Sequence, residues 1–235
     1  MANASMGKKV TQEYAKLTID EEGEEGLILE EPPANHVGVD YSLCLVGSFL
    51  SDRKVNFSAM KDTLASIWRP VKGVYMEETS YPNLFIIKFF HKLDMQRVLD
   101  DGPWTFNQQV FLLKKLEGEE QLSELKISEL FIWLQIYDLP IGFHSEVIFK
   151  SIGNYVGKFL SSDPKNLNGI WRNYQRIKVA IDVNKPLKSK MRIKRAGGDW
   201  LWINFKYERL PSFCFFCGVI GHSEKFCESL FDEKK

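Results

Sequence analysis

A chain of 235 residues with 44% hydrophobic and 13% aromatic side chains is long and apolar enough for one large or two small cores, which excludes an intrinsically disordered protein. Its 31 basic and 31 acidic residues cancel, which excludes a uniformly cationic protein. The charge is uneven, however. Residues 1–40 hold three lysines against nine acids, whereas residues 165–210 hold twelve basic residues against three acids. A local surface that attracts phosphate is therefore compatible with the sequence, although ordinary solvated strand faces would give the same count.

Residues 1–39 are polar and acidic and predict a flexible arm, in which residues 27–29 are a candidate short strand. No apolar segment here resembles a secretory signal, and no apolar run reaches the roughly 20 residues that a membrane span needs. We therefore expect an intracellular protein without a membrane partner, in the nucleus or the cytoplasm. The nucleus is slightly favoured by a basic run at 188–195, which is also readable as a strand.

Residues 40–118 alternate between strand and helix patterns and predict one α+β unit. Strands are predicted at 43–49, 73–78, 84–90 and 110–116, and helices at 57–68 and 94–99. The order β-α-β-β-α-β is that of ferredoxin-like folds, which include the RNA-recognition motif. The outward positions of the strand at 84–90 are Leu84, Ile86 and Lys88, where an RNA-recognition sheet carries stacking aromatic residues. This sheet is therefore interpreted as a candidate surface for a protein partner.

Residues 124–210 predict a second α+β unit with one basic sheet face. Strands are predicted at 130–137, 176–183, 190–195 and 200–207, and an amphipathic helix at 143–159. Alternation places apolar side chains toward the helix and polar ones on the opposite face. That opposite face is predicted to bind nucleic acid through five basic residues and two tryptophans: Arg176, Lys178, Lys190, Arg192, Lys194, Trp200 and Trp202. The two indoles either stack on bases or pack against the first unit or the C-terminal segment.

The C-terminal segment, residues 211–229, contains a C-x2-C-x4-H-x4-C pattern formed by Cys214, Cys217, His222 and Cys227, and a short tail at 230–235 follows. Three thiolates and one imidazole are the ligands of a closed tetrahedral site, so the pattern predicts one structural Zn²⁺ ion. Such a site has no open position for a reactive water, and no convincing catalytic motif occurs elsewhere. We therefore expect a protein that is not an enzyme and has no small-molecule substrate.

The residues around the zinc pattern predict contacts to an unpaired base. A loop of fourteen residues cannot bury all three of its phenylalanines, so at least one is expected to stack on nucleic acid. The candidate contacts are Phe215, Phe216, Phe226, Lys225 and Arg209. Ser223 follows the histidine, and Ile220 is a candidate for the base pocket. The whole module is expected to be a flexible appendage after Pro211.

Several short motifs are distinctive: Leu45-Val46-Gly47 with Phe49, Asn56-Phe57, Trp68-Arg69-Pro70-Val71, Phe89-Phe90-His91, the stretch from Val98 to Trp104, Asp138-Leu139-Pro140, Lys185-Pro186-Leu187, and the stretch from Trp202 to Pro211. They resemble those of a plant domain of unknown function that commonly precedes a CCHC zinc knuckle. The resemblance covers roughly residues 40–228 and includes proteins related to the nucleic-acid chaperones of LINE-type retrotransposons. It implies zinc-dependent binding of single-stranded RNA or DNA in a coating or chaperone-like role.

A protein-interaction module is the alternative, in which the knuckle and the first sheet bind a protein partner and the basic face is only solvated. A third interpretation, an assembly scaffold for a retroelement particle, would need oligomers. The sequence contains no coiled-coil heptads from which such oligomers would be predicted.

Overall fold

The computed structural model describes residues 41–51, 53–117, 120–167 and 173–233. The predicted acidic arm with its candidate strand at 27–29, and the last two residues of the tail, lie outside these ranges. The described residues belong to one compact unit. The predicted boundaries inside that unit stay predictions.

The described residues form ten strands and four α-helices. The first half contains β1 (Cys44–Phe49), α1 (Phe57–Trp68), β2 (Val74–Glu78), β3 (Leu84–Phe89), α2 (Lys92–Asp101), β4 (Trp104–Phe106) and β5 (Gln109–Lys115). The second half contains β6 (Glu129–Tyr137), α3 (Glu146–Val156), β7 (Lys158–Ser162), β8 (Tyr174–Asp182), β9 (Lys190–Ile193), β10 (Leu201–Tyr207) and the short α4 (Glu228–Glu233). The predicted α+β class is confirmed.

The first sheet is antiparallel, with strand order β2-β3-β1-β5-β4. Its β2-β3-β1-β5 part is the ferredoxin-like arrangement that the sequence predicts, with β5 as the final strand. The short β4 is an addition that was not predicted. The sheet packs on α1 and α2 through apolar residues such as Leu64, Ile87 and Val98. Gly47 allows this packing, because a Cβ atom there would lie only 2.2 Å from Cζ of Phe111.

A two-residue turn joins β4 to β5, and both of its residues have positive φ, 48° at Asn107 and 64° at Gln108. Two positive φ values are typical of the type I′ hairpin turn, which favours asparagine followed by glycine. Asparagine tolerates this conformation, whereas glutamine at the second position carries strain of about 1 kcal/mol.

We expect Gln108→Gly to raise the thermal midpoint of unfolding by roughly 2–4 °C, because it relieves about 1 kcal/mol in a chain of this size. Asn107→Gly is the matched control and should raise the midpoint less, since Asn107 is already tolerated. Differential scanning calorimetry measures both. A thermal midpoint for Gln108→Gly below that of wild type would contradict backbone strain at Gln108.

The second sheet is also antiparallel, with strand order β7-β8-β6-β10-β9. The predicted helix at 143–159 is wrong at both ends. It begins after Ser145, whose hydroxyl accepts the Ile148 N–H, and ends at Val156. Phe159 lies in β7, because the chain turns at Gly157 and then pairs with β8; a Cβ atom at Gly157 would lie 2.2 Å from the Ala180 carbonyl oxygen.

The two halves of the described chain share their cores. Val110 and Leu112 of β5 belong to the core beneath the second sheet, and Phe131 of β6 packs against the core of the first. Polar contacts add to this packing, because the carbonyls at the C-terminal end of α2 accept hydrogen bonds from Lys178 and Arg209. The first sheet is therefore not an independent surface.

Within the described ranges, no helix has the length and apolar character that a bilayer crossing requires.

Candidate metal centre and nucleic-acid interface

Cys214, Cys217, His222 and Cys227 converge at the C-terminus. Their potential ligand atoms all lie within 4.8 Å of one another, and Cys217 Sγ is 3.4 Å from His222 Nε2. Zinc–sulfur bonds of about 2.3 Å place tetrahedral ligands roughly 3.8 Å apart, so this donor set fits one structural Zn²⁺ ion. Here the predicted cofactor site is confirmed.

The thiols of this centre respond differently to their surroundings. Desolvation raises the pKa of Cys214, but main-chain N–H groups of Cys217 and Phe216 more than offset it, so the pKa of Cys214 lies below its ordinary value. Desolvation and the neighbouring thiols raise the pKa of Cys217. A divalent cation lowers the pKa of all three thiols, because it binds the three sulfurs as thiolates.

The zinc module, called here the knuckle (residues 214–227), is docked and is not the predicted flexible appendage. Ile220 is only 3% exposed and belongs to the core of the second sheet. The Leu187 N–H donates to the Gly218 carbonyl at 2.8 Å. Gly221 has φ 101°, and a Cβ atom there would lie 2.6 Å from Leu50. The knuckle therefore closes one end of the second core, and Ile220 is not available for the predicted base pocket.

The predicted stacking residues of the knuckle point to solvent. Phe215, Phe216 and Phe226 are all exposed, as is Lys225. Arg209 has a structural partner, because its guanidinium donates to the Gly102 carbonyl at 2.6 Å. Whether these residues contact nucleic acid stays a prediction.

Among the described residues, a regular charged surface lies on β9 and β10 and on Lys194 and Trp200, which adjoin the ends of these strands. Trp202 pairs with Arg192 across the two strands. Lys190 lies 4.6 Å from the Trp202 ring, Lys194 lies 4.9 Å from the Trp200 ring, and Arg192 lies 4.8 Å from Trp200 and 5.6 Å from Trp202. The indoles are 53% and 51% exposed, so they pack on cations of the neighbouring strand and not in a core. We call these five residues the cation–indole ladder.

Arg176 and Lys178 do not belong to this ladder: the strand register places them on the same face of the sheet, but their charges are paired within the fold. β6 and β10 separate them from β9. The Lys178 side chain is 7% exposed and donates to the Asp100 carboxylate at 2.7 Å. Arg176 forms two 2.8 Å hydrogen bonds to Glu208 and lies over the Trp133 ring at 3.8 Å.

Glu208 is held ionised by this network. Burial raises the pKa of its carboxyl group, but hydrogen bonds from Arg176 and Gln135 outweigh burial and lower the pKa below its ordinary value. The charge of Arg176 is therefore compensated within the fold and is not available to a phosphate.

Three residues that were not predicted as contacts continue the face of the ladder. Lys206 lies 4.4 Å from the Tyr137 ring, and Tyr137 lies 5.4 Å from Tyr174. Lys206 is an even number of residues from both tryptophans, so the period of a strand places it on their face, which was a usable sequence signal. The tyrosines gave no such signal, because their position beside Lys206 depends on the order of the strands.

The ladder and the knuckle lie on opposite faces of the second sheet. Ile203 and Phe205 share a core with Ile220 of the knuckle. Trp202 alternates with Ile203 and therefore projects from the other face. The sheet thus carries two separate candidate contact regions.

Comparisons with known families agree with the metal centre. Residues 181–229 match the family described as zinc knuckle, and residues 39–124 match the domain of unknown function DUF4283. The chain carries a DUF4283 domain followed by a CCHC zinc knuckle. The matched knuckle segment begins well before Cys214 and includes Pro186 and Leu187, against which Gly218 of the knuckle packs.

No curated protein matches the chain. Among solved structures, a chain of the "SXL-lethal protein/RNA complex" matches at 12% identity, covering 70% of this chain and 98% of that chain with a TM-score of 0.26. A TM-score that low supports no statement about this protein.

Proposed function

We propose that this protein binds single-stranded nucleic acid, without catalysis, through the cation–indole ladder and the exposed phenylalanines of its zinc knuckle. The observation that carries the proposal is the ladder itself. Three cations on alternate residues, two in the edge strand β9 and Lys194 just beyond it, face two half-exposed indoles at 4.6–5.6 Å. Within the described ranges, no acidic residue forms an ion pair with these three cations.

The ladder combines the two interactions that single-strand binding needs. Cations on alternate residues neutralise successive phosphates and release their counterions. The flat indoles offer stacking surfaces worth about 1–3 kcal/mol per base, and only an unpaired base can use them. Lysines also protect an exposed edge strand from pairing with another chain, but that role does not require two exposed tryptophans.

The expected role, the expected absence of catalysis and the expected localisation rest on the sequence. The resemblance of residues 40–228 to plant retrotransposon-related proteins supports a coating or chaperone-like role. The absence of a recognisable catalytic motif supports a binding protein that is not an enzyme. A basic run at 188–195 supports nuclear residence, although much of that run lies in β9. The choice between RNA and DNA depends on contacts to the 2′-hydroxyl group.

Protein interaction is the second candidate function, and an exposed apolar corner of the DUF4283 domain favours it. Val71, Phe90 and Leu93 are all more than half exposed there. Asp94 links the start of α2 to the segment that contains Val71, because its carboxylate accepts a hydrogen bond from the Lys72 N–H at 3.0 Å. Binding through such a surface would depend only weakly on salt, whereas binding through phosphates depends on it steeply.

Fluorescence anisotropy with labelled 12-nucleotide RNA and DNA strands, measured over a salt series with zinc-loaded protein, tests the proposal. We expect log K to fall with log[salt] by about 0.7 for each phosphate contacted. Replacing Lys190, Arg192 and Lys194 together by glutamine should reduce the slope by about 2. Trp202→Ala should weaken binding roughly 5- to 150-fold and leave the slope unchanged.

The matched control carries the same change in charge at three exposed lysines of the first half, Lys61, Lys72 and Lys92. If this control reduces the slope as much as the ladder variant does, the ladder is not the binding surface. No binding to either strand at low salt would contradict the proposed function itself.

A further inference from the structure

An open groove of about 700 Å³ lies between the β4–β5 turn and the knuckle. Residues that line it include Arg53, Asn107, Gln108, Asn184, His222 and Phe226. Its volume falls within the roughly 300–1,000 Å³ that is usual for small-ligand sites. The groove therefore has room for a nucleobase with its sugar, and the DUF4283 domain supplies one wall while the knuckle supplies the other.

The lining of the groove differs in chemistry from the ladder. Four carboxamides line it, and a carboxamide offers both hydrogen-bond donors and an acceptor. The Asn184 carboxamide uses one donor on the Asp182 carboxylate at 3.2 Å and keeps its oxygen as an acceptor. Arg53 is balanced by Glu228 on the same lining, so the groove lacks the excess positive charge of a phosphate site. Neighbouring donors and acceptors are what the edge of an unpaired base presents.

An aromatic platform completes the groove. Phe226 is 63% exposed, and the Arg53 guanidinium lies 5.6 Å from the centre of its ring. A base that stacks on Phe226 lies in the groove that the β4–β5 turn also lines, where Gln108 holds a strained backbone conformation. A glycine there would relieve the strain but would remove the carboxamide from the groove.

We propose that this groove reads the identity of one unpaired base, which stacks on Phe226 and hydrogen-bonds to the carboxamides of Asn107, Gln108 and Asn184. The inference rests on the proposed function and extends it, because it assigns base preference to the junction of domain and knuckle. The ladder supplies affinity that is independent of sequence.

The test compares 12-nucleotide homopolymers of adenine, cytosine and uracil, measured by anisotropy with zinc-loaded full-length protein. Wild type should prefer one of them by at least about fivefold, since one matched hydrogen-bonding pair discriminates by 1–3 kcal/mol. Asn107→Gly combined with Gln108→Gly removes two carboxamides and suits the type I′ turn. This variant should bring the three affinities to within about twofold of one another, at the level of the weakest wild-type complex.

Two further variants separate the possible outcomes. Asn184→Ala removes the lining carboxamide that follows β8 and should also reduce the preference. Trp200→Ala combined with Trp202→Ala should weaken all three complexes and keep their ratio. Wild type that binds the three strands equally, or turn and Asn184 variants that keep the full preference, would overturn the inference and leave the proposed function intact. Failure of wild type to bind any strand would overturn both.

Discussion

Replacing Cys217 by serine is expected to abolish stoichiometric zinc binding and to unfold the knuckle while the α/β body stays folded. The zinc site supplies the folding free energy of so short a loop, and serine does not replace a thiolate ligand. The body should nevertheless lose stability, because Ile220 would leave the second core, in which it is 3% exposed. Exposure of one isoleucine costs about 1.5–3 kcal/mol.

Three measurements check this expectation. Zinc content should fall from one equivalent to none, the helical circular-dichroism signal should persist, and the thermal midpoint should fall by roughly 3–12 °C. Anisotropy should show weaker binding of single strands. Cys44→Ala is the matched control, because it removes the remaining cysteine, which lies in β1 away from the zinc centre, and should keep one zinc ion. If the helical signal of Cys217→Ser falls in proportion to its zinc content, the α/β body does not fold independently of the knuckle.

Asp100→Ala is expected to destabilise the protein by about 2–3 kcal/mol, more than removal of its partner does. The substitution leaves the Lys178 ammonium, whose side chain is 7% exposed, with main-chain carbonyls at 3.1 and 3.4 Å but no counter-charge. Lys178→Met should cost only about 1 kcal/mol, because Asp100 is 52% exposed and regains water while methionine fills the space. Denaturant unfolding measures both values.

The double variant should resemble Lys178→Met, since no buried charge is left without a partner. Asp101→Ala changes the next residue, which is exposed, and should be nearly neutral. A smaller cost for Asp100→Ala than for Lys178→Met would mean that the ammonium is hydrated in the folded protein.

The same ion pair gives a dependence on pH. Burial raises the pKa of Asp100, but hydrogen bonds from Lys178 and Gln96 outweigh it and the pKa is lowered. The stabilisation is therefore present above the unfolded pKa of about 3.9 and is lost as the pH falls through the lower folded value. Asp100→Ala should remove that part of the acid sensitivity.

The sequence predicted most of the first unit because its signals are local. Apolar spacing over 57–68 coincides with α1, and Pro70 lies just beyond its end. β4 was missed because three residues are too few for a periodic pattern. The helix at 143–159 was extended too far because apolar residues continue into β7. Only the tertiary contact between Gly157 and Ala180 shows that the chain turns there.

The metal ligands were predictable because zinc coordination restricts spacing and residue type together. The nucleic-acid face was only partly predictable, because alternation gives the side of a strand but not its neighbours. Lys178 and Lys190 both alternate with apolar residues, yet one is buried against Asp100 and the other is exposed beside Trp202. The docking of the knuckle was unpredictable for the same reason, since Leu50 and Ile220 are far apart in sequence.

Fixed attachment of the knuckle on one face of the second sheet, with the ladder on the other, sets a length requirement on the nucleic acid. A strand that occupies both regions has to pass around an edge of the sheet, and the folded chain fixes that path. Oligonucleotides that are too short to reach both regions occupy one region at a time, with the affinity of that region alone. Longer ones gain the second contact intramolecularly, at a high effective concentration. The apparent affinity should therefore rise in a step at one oligonucleotide length, which equals the footprint of the protein.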